Sequence, residues 1–540
     1  MKVKLIKLTS KCFRLYFFFL PCWFGLSNHI SLCQTLGQKP VQPYPKTAET
    51  RFLKANDAFQ NENWDESLRI YQQLAIEFPL ITAAQVGVGL SAAKLENHPL
   101  ALNAFHRVLE LMPNATGVQG ELANVYRKSQ QFDQAEKWYL KAIEGTNSKA
   151  PASWYIGLGL LETERGNYER ARQHYIVAIH FHPDNTVAYQ NLGTVLCKLN
   201  RLDEANASFR AALELAPKMA SAFFGRGQVA AKRRNFVAAR DFYHQAIELS
   251  PETPNFHHSL AQVCFRLNDH KAGQKALSNY RRNKAKVHFS EGRQMLEKSE
   301  WKGALVRFQK AEETDPTYTD ATRYSAYVQM TLGDYELAQQ RYDRVLQIEP
   351  NDFLTRFYLG NTEMALGQLK SAEQTFLKVI ELAPAYQDCY LELGDVRKVK
   401  GDLPGAESAY TMGVLQDPSW VPGYLWRGRL RYQRGDISGA EGDFRSAIQL
   451  APNVAAPQYS LAHLLVEENG NLDMALKWAK SAVFLESAPE HQALLAFVYF
   501  RRGQIQLAQA EIERAYQQAP DHPDVAVWRK RIYQNESETR

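Results

Sequence analysis

Residues 201–217 read Arg-Leu-Asp-Glu-Ala-Asn-Ala-Ser-Phe-Arg-Ala-Ala-Leu-Glu-Leu-Ala-Pro, and variants of this stretch recur along most of the chain. Leu202, Ala205, Phe209, Ala212 and Leu213 fall at three- and four-residue steps, so a helix gathers them on one face. Asp203, Glu204, Arg210 and Glu214 lie away from that face. Pro217 stops the helix, because proline has no amide hydrogen and its ring clashes with the preceding turn.

Proline also marks the period. Pro183, Pro217 and Pro251 are 34 residues apart, as are Pro316, Pro350, Pro384, Pro418 and Pro452, and as are Pro79 and Pro113. A fixed spacing of this size predicts a solenoid of helical hairpins. Leu192-Gly193, Ala205, Phe209 and Pro217 stand at offsets that Leu359-Gly360, Ala372, Phe376 and Pro384 repeat. In period and offsets the chain resembles the tetratricopeptide repeat family, with fourteen repeats between about residues 48 and 520. The resemblance implies an all-α fold, a right-handed superhelical α-solenoid of tetratricopeptide hairpins.

Three columns support this. One in the middle of each leading helix, from Ala55 to Ala496, holds only Gly or Ala in all fourteen repeats. A glycine inside a helix costs about 1 kcal/mol relative to alanine, so eight of them at one phase call for a close-packing reason. A second small column, including Ala171 and Ala205, lies early in each trailing helix. Four residues on, a mostly aromatic column includes Tyr139, Phe209, Tyr342 and Phe444. A small residue one turn before a ring lets helices close while the ring fills the gap.

Residues 1–33 differ in kind. Lys2, Lys4, Lys7, Lys11 and Arg14 precede an apolar run from Leu15 to Leu26, and Ser31-Leu32-Cys33 follows. These are the parts of a signal peptide, and a run this short, broken by Pro21, favours cleavage over a membrane anchor. The expectation is a secreted or periplasmic protein, with membrane contact only through an uncleaved segment. Without residues 1–33 the 64 Lys and Arg fall to 59 against 58 Asp and Glu, which argues against a nucleic-acid partner. Pro40, Pro43 and Pro45 mark a linker over 34–47.

The period slips by two extra residues at 145–151, where Pro113 and Pro183 are 70 apart, and by one at 467–471 in repeat thirteen, but the most irregular place is repeat seven. Pro251 to Pro316 is three residues short of two repeats, and residues 276–295 contain no proline. The last helix of repeat seven is expected to run into the first of repeat eight. That divides the solenoid into two arms, 48–283 and 284–520; a plain deletion with no structural effect is the alternative. Asp521 to Tyr533 reads as a capping helix and 534–540 as a disordered tail.

Little points to catalysis. The chain has no Gly-rich phosphate loop, no His-Glu-x-x-His, no Cys-x-x-Cys and no Gly-x-Ser-x-Gly. Neither enzyme activity nor cofactor is expected, nor a metal site: Cys197, Cys264 and Cys389 read as buried apolar residues, and His180, His182, His257 and His258 lack further ligands at suitable spacing.

Binding is the expected activity. The family resemblance implies a concave groove lined by leading helices that holds a protein or peptide partner. The candidate ligand-binding residues are Arg397, Lys398, Trp426, Arg427, Arg429, Arg431 and Tyr432, with Lys400, Arg434 and Trp420 beside them. Arginine forks and aromatic faces suit carboxylates, phosphates and interface anchors. An anionic glycan is a second candidate ligand, and a role beside an envelope glycosyltransferase a third reading. A solvated face with ion pairs to Asp436 and Glu441 is the plain alternative. Arg226, Lys232, Arg233 and Arg234 form a second basic group, with Arg282 and Lys286 nearer the slip.

Two family binding modes are not supported. The chaperone-tail clamp would need Lys and Asn where the chain has Phe52, Val86, Gly120, Ile156 and Gln190. An asparagine ladder would occupy the position before the Leu-Gly pair, which reads Leu53, Gly87, Glu121, Gly157, Asn191, Gly225 and Ser259.

Overall fold

The computed structural model of the protein describes residues 46–146, 150–468 and 470–539. The expected signal peptide lies outside the described residues, as does the linker up to residue 45. Twenty-eight helices and no strand occur among the described residues, and they form an all-α solenoid of hairpins. The opening stretch forms the trailing helix Leu202–Leu215, in which Ala205, Phe209 and Ala212 are fully buried. Its last backbone hydrogen bond runs from the Ala216 N–H to the Ala212 carbonyl, one residue before Pro217.

The columns become packing. A Cβ placed on Gly193 would meet the Phe209 ring of the same repeat at 2.8 Å. A Cβ on Gly225, in the next leading helix, would meet that ring at 2.3 Å. The trailing-helix ring is therefore clasped between two successive leading helices, and only a missing side chain admits it that closely. Tyr71 stands in the same relation to Gly87, and Tyr139 to Gly157. Polar residues at the hairpin turns start the trailing helices: the side chains of Asn97, Asn235, Asp402 and Asp436 each accept a hydrogen bond from an amide of the first turn.

The chain divides into two compact units, residues up to Tyr280 and residues from Arg281. The boundary falls within one uninterrupted 28-residue helix, His270–Glu297. No proline or glycine stop separates the two former helices, so the backbone ladder continues through. Away from the merged helix, successive leading helices in each unit touch one another as well as their own trailing helices, and so form the closer-packed wall.

The end of the chain differs from the sequence reading. The last helix is Pro523–Thr539, so residues 534–539 are helical where a disordered tail is expected. Nothing between Tyr533 and Thr539 is a glycine or proline that would stop it. Val525, Trp528 and Ile532 of this helix are buried against the preceding repeat.

Candidate functional site

The seven candidate residues fall on two leading helices of the second unit, Gln387–Val399 and Val421–Gln433. They divide into two groups.

Arg397, Arg427 and Arg431 are engaged inside the fold. Arg427 donates from Nε to Asp443 Oδ2 at 3.0 Å and from Nη2 to Asp443 Oδ1 at 2.7 Å. Arg431 donates to Glu407 Oε1 at 2.8 Å and to Asp443 Oδ2 at 3.0 Å. Arg397 donates to Glu373 Oε1 at 2.8 Å and to the Gly405 carbonyl at 3.1 Å. Lys400 and Arg434 close on the second oxygens of Glu373 and Glu407. Lys400 first, then Arg397, holds the Glu373 carboxyl below its ordinary range. These cations staple leading helices to trailing helices. The carboxylates are chiefly Glu373, Glu407 and Asp443; Asp436 stays 3.8 Å from Arg431, and Glu441 pairs with Arg445.

Trp426, Arg429, Lys398 and Tyr432 are disposed differently. The Trp426 ring has the Arg429 guanidinium carbon 5.1 Å and the Lys398 ammonium 5.7 Å from its centre. Among the described residues, neither cation has a carboxylate within ion-pair distance. Arg429 makes only a long bond from Nε to Ser460 Oγ, 3.4 Å. Partial burial pushes its pKa down, with Tyr459 opposing. Tyr432 meets His463 edge-on at 6.0 Å, and His463 lies 5.6 Å from Trp528.

A further set of groups was legible in the sequence but escapes the asparagine test. Continued beyond Ser259 in the same column, the chain reads Ser290, Tyr324, Tyr358, Glu392, Trp426 and Ser460. In the first unit three of these positions are glycines against rings. In the second, Tyr324, Tyr358, Glu392 and Trp426 stand half-exposed along the leading-helix wall. Tyr358 stacks on the buried Tyr342 with centroids 6.3 Å apart and meets Tyr327 at 5.7 Å. Glu392 shares its helix face with Asp388 and Asp395. Burial first, then Asp395 and Asp388, pushes the Glu392 carboxyl up to about 7. Asp395 accepts a hydrogen bond from the Tyr410 hydroxyl at 2.8 Å.

The second basic group is largely used within its unit. Arg226 covers the Phe242 ring at 4.3 Å, Lys232 donates to the Cys197 carbonyl at 2.6 Å, and Arg233 pairs with Asp203. Cys197, Cys264 and Cys389 are free and buried, and burial pushes the Cys389 thiol up to about 12. His257 contacts the Pro251 carbonyl at 2.7 Å and His182 the Ala150 carbonyl at 3.1 Å. Among the described residues no three His, Cys, Asp or Glu side chains are grouped to hold a metal ion. No described helix is long and apolar enough to cross a membrane.

Hairpins of this period with a leading-helix wall define a helical-repeat protein. Tetratricopeptide repeat models match residues 52–116, 121–186, 191–254 and 329–387. The chain belongs to the tetratricopeptide repeat family. Among curated proteins it is similar to the human protein O-mannosyl-transferase TMTC1, 31% identical over 116 residues, which is 21% of this chain. The match spans only 12% of that relative's length. Among solved structures, yeast Tom70 is 14% identical with a TM-score of 0.35, covering 92% of this chain and 96% of that one. The Cut9 and Hcn1 assembly of the APC/C is 14% identical at a TM-score of 0.33, covering 87% and 98%. PilF of Pseudomonas aeruginosa is 21% identical at 0.33, covering 36% and 88%.

Proposed function

We propose that the chain is a non-catalytic scaffold that holds a protein partner in the concave groove of its second unit, in assembly or export at a cell envelope. One observation carries the binding site. Trp426, with Arg429 and Lys398 against its ring, lies half-exposed on the leading-helix wall while the neighbouring arginines are consumed by ion pairs. Tryptophan and arginine on a partly desolvated face are the side chains that most often anchor a partner. The envelope setting rests on the basic and apolar residues 1–33.

The test is capture from a native envelope extract on the tagged full chain, read by mass spectrometry, beside Trp426→Ala and Arg429→Glu. A protein retained by the native chain and lost from both variants supports the reading. Capture of glycan without protein, or a partner indifferent to both substitutions, overturns it.

A further inference from the structure

We infer that the leading-helix wall at repeats eleven and twelve selects an extended peptide carrying one basic and one acidic side chain three residues apart. The basic one seats at Glu392 and Asp388, and the acidic one on Arg429 beside Trp426. The inference rests on the scaffold reading above and adds the chemistry of the partner.

Two groups of opposite charge type stand on adjacent helices of one wall, and neither has a counter-charge among the described residues. Glu392 and Asp388 make no hydrogen bond or ion pair with any described residue. The charges acting on Glu392 are those of Asp395 and Asp388, both of its own sign. Across on the next leading helix, Arg429 touches no carboxylate, and only Tyr459 opposes the effect of its burial. Glu392 and Arg429 therefore do not compensate each other. A half-buried charge without a counter-charge is unfavourable, and a ligand that brings the missing charge recovers that energy. Both ends also offer rings suited to a chain laid across them. Tyr358 and Tyr386 both pack on Phe357, and the charge of Asp388 acts on both. Trp426 lies under Arg429. Elsewhere on these two helices, the arginines that have carboxylates in reach use them, so the open pair is a local exception.

The spacing follows from geometry. Packed helix axes lie about 8–10 Å apart. Glu392 and Arg429 differ by three residues in phase, which adds about 4.5 Å along the axis. Side chains projecting in parallel from the two helices carry their charges about 9–11 Å apart. An extended chain advances about 3.3 Å per residue, so a side chain and its third neighbour span that distance. A lone basic or lone acidic segment would satisfy one site and leave the other uncompensated.

Immobilised full-length chain tests this with capped peptide pools, acetylated and amidated so that no terminal charge competes. One pool places Arg and Glu at positions i and i+3, a second Glu and Arg in the reverse order, a third at i and i+6, and the fillers are Ala, Ser, Leu and Tyr. The expected result is retention of one order at spacing three, at least about tenfold over the other pools. The double variant Glu392→Arg with Arg429→Glu should prefer the opposite order. The neutral Glu392→Gln and Arg429→Gln should each lose the preference without reversing it. Equal retention of all pools, an unchanged preference in the double variant, or retention of a sulfated polysaccharide in place of any pool overturns the inference. If the pools fail while a native protein partner is still lost on Trp426→Ala, the scaffold reading stands and the dipolar motif falls.

Discussion

Arg427 grips Asp443 through two hydrogen bonds, and both side chains are nearly buried, 11% and 5% exposed. Arg427 occupies a column that is usually leucine in the family, so a buried ion pair replaces an apolar contact. Removing one partner of such a pair leaves the other charge stranded, at a cost of about 3–5 kcal/mol. Asp443 retains Arg431, which keeps the expected loss for Arg427→Ala at the lower end, about 3 kcal/mol. Urea unfolding should show this loss. Arg429→Ala, on the same helix but without an ion pair, should leave the midpoint almost unchanged while abolishing partner capture.

Phe209 gives a second prediction, with opposite signs at two glycines. Gly225→Ala puts a Cβ 2.3 Å from the ring, so the ring or the helix must move. Overpacking of this kind costs about 1–3 kcal/mol, against about 1 kcal/mol returned by helix propensity. Gly442, in the helix Ile437–Leu450, has nothing within 4 Å of its Cβ position. Gly442→Ala should therefore stabilise by about 1 kcal/mol. Thermal melts of the two variants should move in opposite directions.

The repeat was legible because the same constraint acts many times. Ala205 and Phe209 recur at a fixed phase, and each recurrence confirms the last. The merged helix His270–Glu297 was legible for a related reason, the missing stop signal. The division of labour among the arginines was not. Arg427 and Arg429 are two residues apart and chemically alike, yet they face opposite sides of one helix. Only the trailing helix, which brings Asp443 beneath Arg427 and nothing acidic to Arg429, separates them. The aromatic column was present at its period, but Tyr358 and Trp426 gain meaning only beside the glycines Gly87 and Gly157 that occupy the same place in the first unit.

The hairpin turns yield a third prediction. Gly333, Gly367, Gly401 and Gly435 take positive φ in the second unit, where Ser299 is an exception, whereas the first unit, Gly166 apart, places side chains such as Glu62, Glu96, Gln130 and Asn200 in that conformation. A side chain there costs about 1–2 kcal/mol that glycine avoids, partly offset by glycine's greater freedom when unfolded. Gln130 is exposed, so Gln130→Gly should raise stability by about 0.5–1 kcal/mol. Gly367→Ala, at φ of 72°, should lower it by a similar amount. Denaturant midpoints of the pair would check both signs.

Glu392 makes stability depend on pH in an unusual direction. Asp388 and Asp395 face it from its own helix, and the Tyr410 hydroxyl from the trailing helix is committed to Asp395. Its carboxyl titrates near 7 when folded and near 4.5 when unfolded, so between these values the folded chain holds the extra proton. Stability then falls as pH rises through that window and levels off above about 7. Most acid groups that shift on folding act the other way, because their partners are cations. Glu392→Gln should remove this component of the slope and leave the variant more stable than the native chain at pH 8. A cationic side chain seated on Glu392 would expel the same proton. Binding of the Arg and Glu peptide pool should therefore tighten from pH 6 to pH 8 in the native chain and lose that pH dependence in Glu392→Gln. Unfolding midpoints measured across this range, alone and with the pool, read both effects on one residue; a flat profile in the native chain would refute the assignment.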